Sequence, residues 1–147
     1  MTEYKSYLNW QKTSEDFSYE HYNRAHSIYF SGEQILQNSS APEYFGDADM
    51  SNPEELLASA LSSCHMLTYL AVASKSGYTV LSYKCEAIAI LNKNEDGRMS
   101  VTEINLKPEI VFSGDKKPTE EQEKAMHEKA HRNCFIAQSL KTKVNIL

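Results

Sequence analysis

The order of apolar and polar residues predicts strands in the first third of the chain. Two short aromatic-rich segments, Tyr4 to Trp10 and Arg24 to Phe30, alternate in part between apolar and polar positions, which is typical of strands. The second segment stops at Ser31-Gly32, and Gln34 to Gln37 is a candidate for the returning arm of a hairpin. The polar stretch Asn38 to Ser51 follows, and we interpret it as a loop that is long enough to rim a site.

A long apolar segment with a helix start signal comes next. Asn52 suits the N-cap, Pro53 suits the first helical position, and Glu55 completes a capping-box pattern. The helix is predicted to run to about Ser76, because Gly77 is a typical C-terminal residue. Its apolar residues cover more than one stripe, so we expect this helix to be buried on most sides, unlike a surface helix.

The second half of the chain predicts a hairpin, a charged helix and a last strand. Apolar positions favour strands over Tyr78 to Leu91 and Met99 to Phe112, on either side of the turn cluster Asn92 to Gly97. The order β-β-α-β-β-α-β predicts one α+β domain over residues 1–147, with a buried helix against a largely antiparallel sheet. The remaining segments are a helix from Thr119 through His131, Phe135 to Leu140 as its extension or a further helix, and Lys141 to Leu147 as a strand.

Composition narrows the classes of function. The chain has 15 Lys and Arg against 20 Asp and Glu, a net charge of −5, so nucleic acid is disfavoured as a partner. The start MTEYKSYLNW lacks the pattern of a signal peptide. The most apolar stretch, Leu56 to Ala73, is interrupted by five polar residues, so we expect no membrane span. Three cysteines without an export signal favour a reducing, cytoplasmic location.

Two of the three cysteines are candidates for chemistry. Cys64 lies in the polar run Ser62-Ser63-Cys64-His65 of the apolar helix, and Cys134 closes the second helix. A buried free cysteine is usually a small core residue, and we interpret Cys85 in this way, but a core position does not require the polar run. A reactive cysteine must be a thiolate. The helix dipole fades within the first turn, and Cys64 lies about three turns from the helix start, so a cation from elsewhere is needed.

Arg24 is the candidate for that cation. Arginine stays charged when partly buried, and the chain has only three. We expect Arg98, after a turn, to be in solvent, and Arg132 to be a charge at a helix C-terminus. Arg24 lies at the start of an aromatic strand, where a guanidinium needs a carboxylate partner. Glu54, in the first turn of the Cys64 helix, is the candidate, with an exposed acid favoured by the dipole as the alternative.

These residues resemble a known family. The block from Asn52 to Cys64, NPEELLASALSSC, the helix that continues to Gly77, and His127 to Val144 with its late cysteine resemble the OsmC/Ohr family of thiol peroxidases. The resemblance covers the chain from about Arg24 to its C-terminus. It implies an OsmC-like α+β fold in an intertwined homodimer, without a metal or other cofactor. Two active sites would lie at the subunit interface, each combining strands and helices from both chains.

The resemblance also implies roles for individual residues. Cys64 would be the peroxidatic thiolate and Cys134 the resolving thiol. Arg24 would stabilise the thiolate and bind the peroxide, and Glu54 would orient Arg24. The Cys64 sulfenic acid would condense with Cys134 to a disulfide, which an external dithiol reduces. Apolar neighbours would favour an organic hydroperoxide over hydrogen peroxide, and the expected substrate contacts are Leu61, Met66, Leu67 and Phe135.

Two other interpretations stay open at this point. His127, His131 and Cys134 lie at i, i+4 and i+7 on one helical face, a spacing that could bind zinc with Cys64-His65 approaching from the other helix. Alternatively, the chain is a non-catalytic module that binds a small ligand or lipid on the same fold, since a fold does not fix a function.

Overall fold

The elements of the chain follow the order that the sequence predicts. A computed structural model describes residues 1–147, which separate into two compact units, Met1–Leu56 and Leu57–Leu147. The strands are β1 (Tyr7–Asn9), β2 (His26–Tyr29), β3 (Ile35–Asn38), β4 (Thr79–Lys93), β5 (Met99–Ser113) and β6 (Lys143–Ile146), and the α-helices are α1 (Pro53–Lys75), α2 (Glu120–Asn133) and α3 (Phe135–Ser139).

The first unit contains an antiparallel sheet in the order β1-β2-β3. Gln34 to Gln37 therefore does contribute the returning arm of a hairpin, with Ile28 opposite Leu36. Strand β1 is shorter than the predicted Tyr4 to Trp10. Strand β2 begins at His26, so Arg24 precedes the strand instead of starting it. The cause is local: the amide of Tyr22 donates to the carbonyl of Ser18 at 3.0 Å, which makes a turn just before Arg24.

The polar stretch between β3 and α1 is an ordered loop held by its own hydrogen bonds. The amide of Ser39 donates to the carbonyl of Ser51 at 2.8 Å, and the Ser39 hydroxyl accepts from the amide of Asp47 at 3.1 Å. Asn38 and Ser39 are buried. Because buried polar groups need partners, these bonds fix the path of the chain into α1.

The second unit contains a long hairpin and a mixed sheet in the order β4-β5-β6. Strands β4 and β5 pair antiparallel along nearly their whole length. Strand β6 pairs parallel to β5, so the sheet is largely antiparallel, as predicted, with one parallel strand. Its buried side chains include Ile104 and Leu106, which form one core with Leu61 of α1 and Cys134.

Helix α1 begins where the sequence predicts and ends within one residue of the prediction. The side chain of Asn52 accepts from the Glu55 amide at 2.9 Å, and the Glu55 carboxylate accepts from the Asn52 amide at 3.2 Å. The fully buried residues of α1 form one stripe. The sequence led us to expect a helix that is buried on most sides. Within the single chain this expectation is not met. The stripe consists of Ala58, Leu61, His65, Tyr69 and Ala73.

The backbone at Cys134 decides between the two interpretations of the segment after α2. Cys134 has φ −74° and ψ 113°, an extended conformation that ends α2. Its side chain then accepts from the Ala137 amide as the N-cap of α3. The segment from Phe135 is therefore a separate short helix.

Gly46 supports a testable prediction about the loop before α1. A Cβ atom at this position would lie 1.6 Å from the carbonyl oxygen of Ser40, so the backbone must move to accept a side chain. We expect Gly46→Ala to lower the free energy of unfolding by about 3 kcal/mol or more. The measurement is urea unfolding followed by the fluorescence of Trp10, which lies in the same unit.

Gly32→Ala is the matched control in this unit. Gly32 has φ +72° and no neighbour within 4 Å of an added Cβ, so only the left-handed backbone opposes the substitution, at a cost of about 1–2 kcal/mol. Equal losses in the two variants would contradict the close approach at Gly46.

Candidate functional site

The structure brings together two cysteines that lie 70 positions apart in the sequence. Cys64 is half-buried near the middle of α1, and Cys134 is fully buried between α2 and α3. Both belong to the same apolar core, in which Cys64 packs against a cluster that contains Cys134. The two thiols also influence each other electrostatically, since Cys64 contributes to the raised pKa of Cys134. Neither forms a disulfide here, so the pair is a reduced dithiol.

The surroundings of Cys134 keep its proton on the sulfur. The pKa of the Cys134 thiol is raised from 9.0 to about 11, chiefly by burial and in smaller part by the neighbouring Cys64 thiol. The Ala137 amide donates to the sulfur at 3.4 Å, which opposes part of this increase. Cys134 is therefore a neutral thiol at neutral pH, and it becomes a nucleophile only as it gives up that proton.

Arg24 lies in an aromatic cage in the first unit. Its guanidinium is 3.6 Å from the ring centroid of Tyr22 and 5.3 Å from those of Tyr19 and Phe45. It donates hydrogen bonds to the backbone carbonyls of Tyr22 and Tyr19. Cation–π contacts of this kind hold a guanidinium in place. The apolar walls that the sequence predicts are present, but carbonyl oxygens take the place of the expected carboxylate.

Glu54 does not meet Arg24 within the chain. Glu54 lies in the first turn of α1 and is half-buried. The salt bridges of the chain do not include one between Glu54 and Arg24. The neighbouring Glu55 has a separate role, since it forms the capping box with Asn52. Arg24 and Glu54 both belong to the first unit, whereas both cysteines of the dithiol belong to the second.

The four residues expected to contact substrate are placed in different surroundings. Leu61 is fully buried in the core, whereas Leu67 is 60% exposed and Phe135 is 82% exposed. Met66 is half-buried and lines a groove between α1 and β4, of about 370 Å³, which the other three do not line. Within one chain the four therefore do not form one binding surface. The rest of the groove consists of Ser59, Ser62, Ser63, Tyr83, Cys85 and Ala87.

His65 and His127, which the zinc interpretation brings together as possible ligands, form a hydrogen-bonded pair that was not predicted from the sequence. Nε2 of His65 lies 3.0 Å from Nδ1 of His127, and the two rings are nearly parallel at 6°. His65 is 1% exposed. Burial lowers the pKa of His65 from 6.5 to about 4, with smaller contributions from repulsion by His127 and His131. Burial also lowers the pKa of His127, so both imidazoles are neutral at neutral pH.

The zinc interpretation does not fit this arrangement. The structure has no group of three or more His, Cys, Asp or Glu side chains placed to hold a metal ion. Cys134 interacts with Cys64, and His127 bonds to His65. The regular spacing of His127, His131 and Cys134 therefore does not produce a common ligand set, because two of the three are already paired with α1.

Large apolar side chains are left exposed on the second unit. Leu81 is 70% exposed and Val111 is 51% exposed, in addition to Leu67 and Phe135. Helix α1 is also long and apolar enough to cross a membrane by length and composition, contrary to the expectation from its polar interruptions. Core helices pass the same test, and α1 contributes to both apolar cores of this unit, so we interpret it as a core helix.

Comparison with known proteins gives consistent matches. A family model described as OsmC-like protein matches residues 46–147. The structure of an OsmC-like protein of unknown function from Vibrio cholerae is 41% identical, covers 100% of this chain and 99% of that chain, and has a TM-score of 0.95. The protein YmaD of Bacillus subtilis is 25% identical over 119 residues, 79% of this chain and 77% of that protein.

More distant structures share the fold. The organic hydroperoxide resistance protein OhrB of Bacillus subtilis has a TM-score of 0.68 at 17% identity, with 99% of this chain and 98% of that chain covered. An organic hydroperoxide resistance protein from Legionella pneumophila has a TM-score of 0.67 at 14% identity, with 99% and 96% covered. At these identities the likeness shows the α+β fold alone.

The buried His65 supports a prediction about pH and stability. The unfolded chain takes up a proton on this imidazole near pH 6.5, whereas the folded protein does so only near pH 4. Unfolding is therefore favoured as the pH falls through this window. Between pH 7.5 and pH 5, we expect the wild-type protein to lose about 1–2 kcal/mol more of its unfolding free energy than His65→Gln does.

Urea unfolding at the two pH values measures this difference. His21→Gln is the control, because His21 is exposed and its replacement should leave the pH dependence of the wild type intact. Parallel losses in wild-type and His65→Gln proteins would show that His65 is not buried as a neutral imidazole.

Proposed function

Since the chain belongs to the OsmC-like protein family, as its NPEELLASALSSC block suggests, we propose that it is a cysteine-based peroxidase that reduces organic hydroperoxides to alcohols. The observation that carries the proposal is the contact between Cys64 and Cys134 in one apolar core. Two thiols that meet from distant parts of a chain can form a disulfide if their Cα atoms come within roughly 4.4–6.8 Å.

The reaction has two steps on the protein. The Cys64 thiolate attacks one oxygen of the hydroperoxide, the O–O bond breaks, and the alkoxide leaves and takes a proton to become the alcohol. Cys64 is then a sulfenic acid. The sulfur of Cys134 attacks it, the proton of Cys134 and the hydroxyl of the sulfenic acid leave as water, and a disulfide forms. An external dithiol, of the kind available in a reducing cytoplasm, restores both thiols by exchange.

The electrostatics support this assignment of roles. Cys134 retains its proton, because burial and the neighbouring Cys64 thiol raise its pKa to about 11. It is therefore suited to wait as a thiol while Cys64 reacts with the peroxide. Once Cys64 carries oxygen, the condensation consumes that proton as part of the water that leaves.

The positive charge for the Cys64 thiolate comes from Arg24 in this proposal. Arg24 keeps its charge in any environment of a protein, and its aromatic cage holds the guanidinium without a salt bridge. Because Arg24 and Glu54 lie in one unit and the cysteines in the other, we propose that Arg24 and Glu54 of one subunit serve the dithiol of the partner in a homodimer.

Exposed apolar surface supports this homodimer. Six large apolar side chains of the second unit are more than half exposed in the single chain, and large exposed apolar surfaces mark interfaces. A second copy that covers such side chains on α1 would bury the helix on the sides that one chain leaves open. The six are Leu67, Leu81, Met99, Val111, Phe135 and Leu147.

The same apolar side chains favour a hydroperoxide with an organic substituent. Leu67 and Phe135 flank the two cysteines in the sequence and are available for contact. A subunit interface that encloses them would form a pocket with apolar walls, which binds an alkyl or aryl group better than it binds hydrogen peroxide. OhrB of Bacillus subtilis and the Legionella pneumophila protein, which share the fold, are named for resistance to organic hydroperoxides.

Single cysteine variants test the two-step reaction. With cumene hydroperoxide and a dithiol, we expect Cys64→Ser to lose peroxide consumption entirely. With hydroperoxide alone and the dithiol left out, Cys134→Ser should react once and stop as a sulfenic acid that dimedone traps, because the resolving thiol is missing. Cys85→Ser is the control and should turn over like the wild-type protein. Wild-type protein that never consumes hydroperoxide would contradict the enzyme and favour a ligand-binding module.

Mixed subunits test the shared site. Arg24→Ala and Cys64→Ser proteins should each be nearly inactive alone, yet unfolding and refolding them together should restore about a quarter of wild-type activity, because half of the dimers are mixed and each has one complete site. The control mixes Arg98→Ala, an exposed arginine, with Cys64→Ser at the same ratio, and its activity should equal the share of Arg98→Ala chains. A mixture of Arg24→Ala and Cys64→Ser that stays inactive would show that Arg24 does not act across the interface.

A further inference from the structure

A hydrogen bond between two imidazoles joins α1 to α2 next to the dithiol. Nε2 of His65 and Nδ1 of His127 are 3.0 Å apart, so one nitrogen carries the proton and the other accepts it. The His127 ring also packs on the ring of Tyr69 at 4.3 Å between centroids. His65 follows Cys64 directly in α1, and His127 lies two helical turns before Cys134.

The surroundings of this pair make its one hydrogen bond important. Four buried side-chain atoms of the chain lack any hydrogen-bond partner, and all belong to residues around the pair: Nδ1 of His65, Nδ1 of His131, and the hydroxyls of Tyr69 and Tyr83. Leaving a buried polar atom unpaired is costly. The bond between His65 and His127 is thus a polar contact that this region does satisfy, and it joins α1 to α2 beside their apolar packing.

The two helices must meet closely for a disulfide to form. The sulfur atoms of Cys64 and Cys134 have to approach from contact to a covalent distance of about 2.05 Å, with a narrow range of dihedral angles. Any shift of α2 along or away from α1 moves Cys134, because Cys134 ends α2. A directional bond one residue from Cys64 limits such shifts.

We propose that the His65–His127 hydrogen bond is a positioning element that holds Cys134 against Cys64 for disulfide formation. It acts on the second step of the reaction, the condensation of the sulfenic acid with the thiol. The first step, attack of Cys64 on the hydroperoxide, does not use Cys134 and therefore does not depend on this hydrogen bond. The inference rests on the proposed peroxidase function for its kinetic form, but the stability of the disulfide tests it independently.

The test compares His127→Phe, which keeps an aromatic ring but loses the hydrogen bond, with His127→Gln, which can still bond to His65. After one equivalent of cumene hydroperoxide, rapid quenching and mass spectrometry follow the sulfenic acid and the disulfide separately. In His127→Phe we expect disulfide formation to slow by about fivefold, with the loss of the free Cys64 thiol unchanged. His127→Gln should restore most of the wild-type rate.

The reduction potential of the Cys64–Cys134 pair is the second measurement, made in glutathione buffers without peroxide. A disulfide that is fivefold less favoured has a potential about 20 mV less negative for this two-electron couple. We expect this shift in His127→Phe and not in His127→Gln. If wild-type protein ignores hydroperoxide but shows this pattern of potentials, the peroxidase proposal fails and the positioning role stands.

Tyr83→Phe is the control, because it removes a buried hydroxyl of the same region that has no partner, and it should match the wild type. Equal rates of disulfide formation and equal reduction potentials in wild-type and His127→Phe proteins would overturn the proposal. If His127→Phe does not fold, nitrogen-15 NMR of the wild-type imidazoles decides: the hydrogen-bonded pair must be present in both dithiol and disulfide protein, and its absence from the dithiol form would overturn the proposal.

Discussion

The contact between the Cys64 and Cys134 thiols inside an apolar core is the interaction on which the site depends. Two features of the chain create it. A stripe of small and apolar residues on α1 packs against the sheet of the second unit, and the extended backbone at Cys134 stops α2 and turns the thiol into that core. Burial also raises the pKa of Cys134, so that its thiol keeps its proton at neutral pH.

The same apolar core also means that a Cys64 thiolate needs a positive charge from another part of the protein. An apolar core raises the cost of any thiolate, and the structure holds its caged guanidinium, Arg24, in a different unit from the cysteines. Exposed apolar side chains on the second unit give one chain a surface that water does not solvate well. The proposed homodimer would answer both requirements at once, since it would cover that surface and bring a second Arg24.

Sequence patterns predicted the elements better than their surroundings. The start of α1 was predicted from the capping residues Asn52 and Glu55, and the β4-β5 hairpin from the turn before Arg98. Both signals act within a few residues. Burial of α1 on most sides was not found in one chain, because a sequence pattern does not say whether an apolar stripe faces its own chain or another. The position of Arg24 also differed, since the turn at Ser18 keeps it out of β2.

The histidines show the same limit. The spacing of His127 and His131 made them possible zinc ligands, but His127 pairs with His65 from the other helix, a hydrogen bond that no local pattern encodes.

The reaction between Cys64 and Cys134 is tested most directly by a non-reducing peptide map of the protein after one equivalent of cumene hydroperoxide. If Cys64 and Cys134 form the disulfide as proposed, the map contains a cross-linked peptide that joins these two residues, and Cys85 stays free. A pairing through Cys85, or only over-oxidised Cys64 with Cys134 still free, would contradict it.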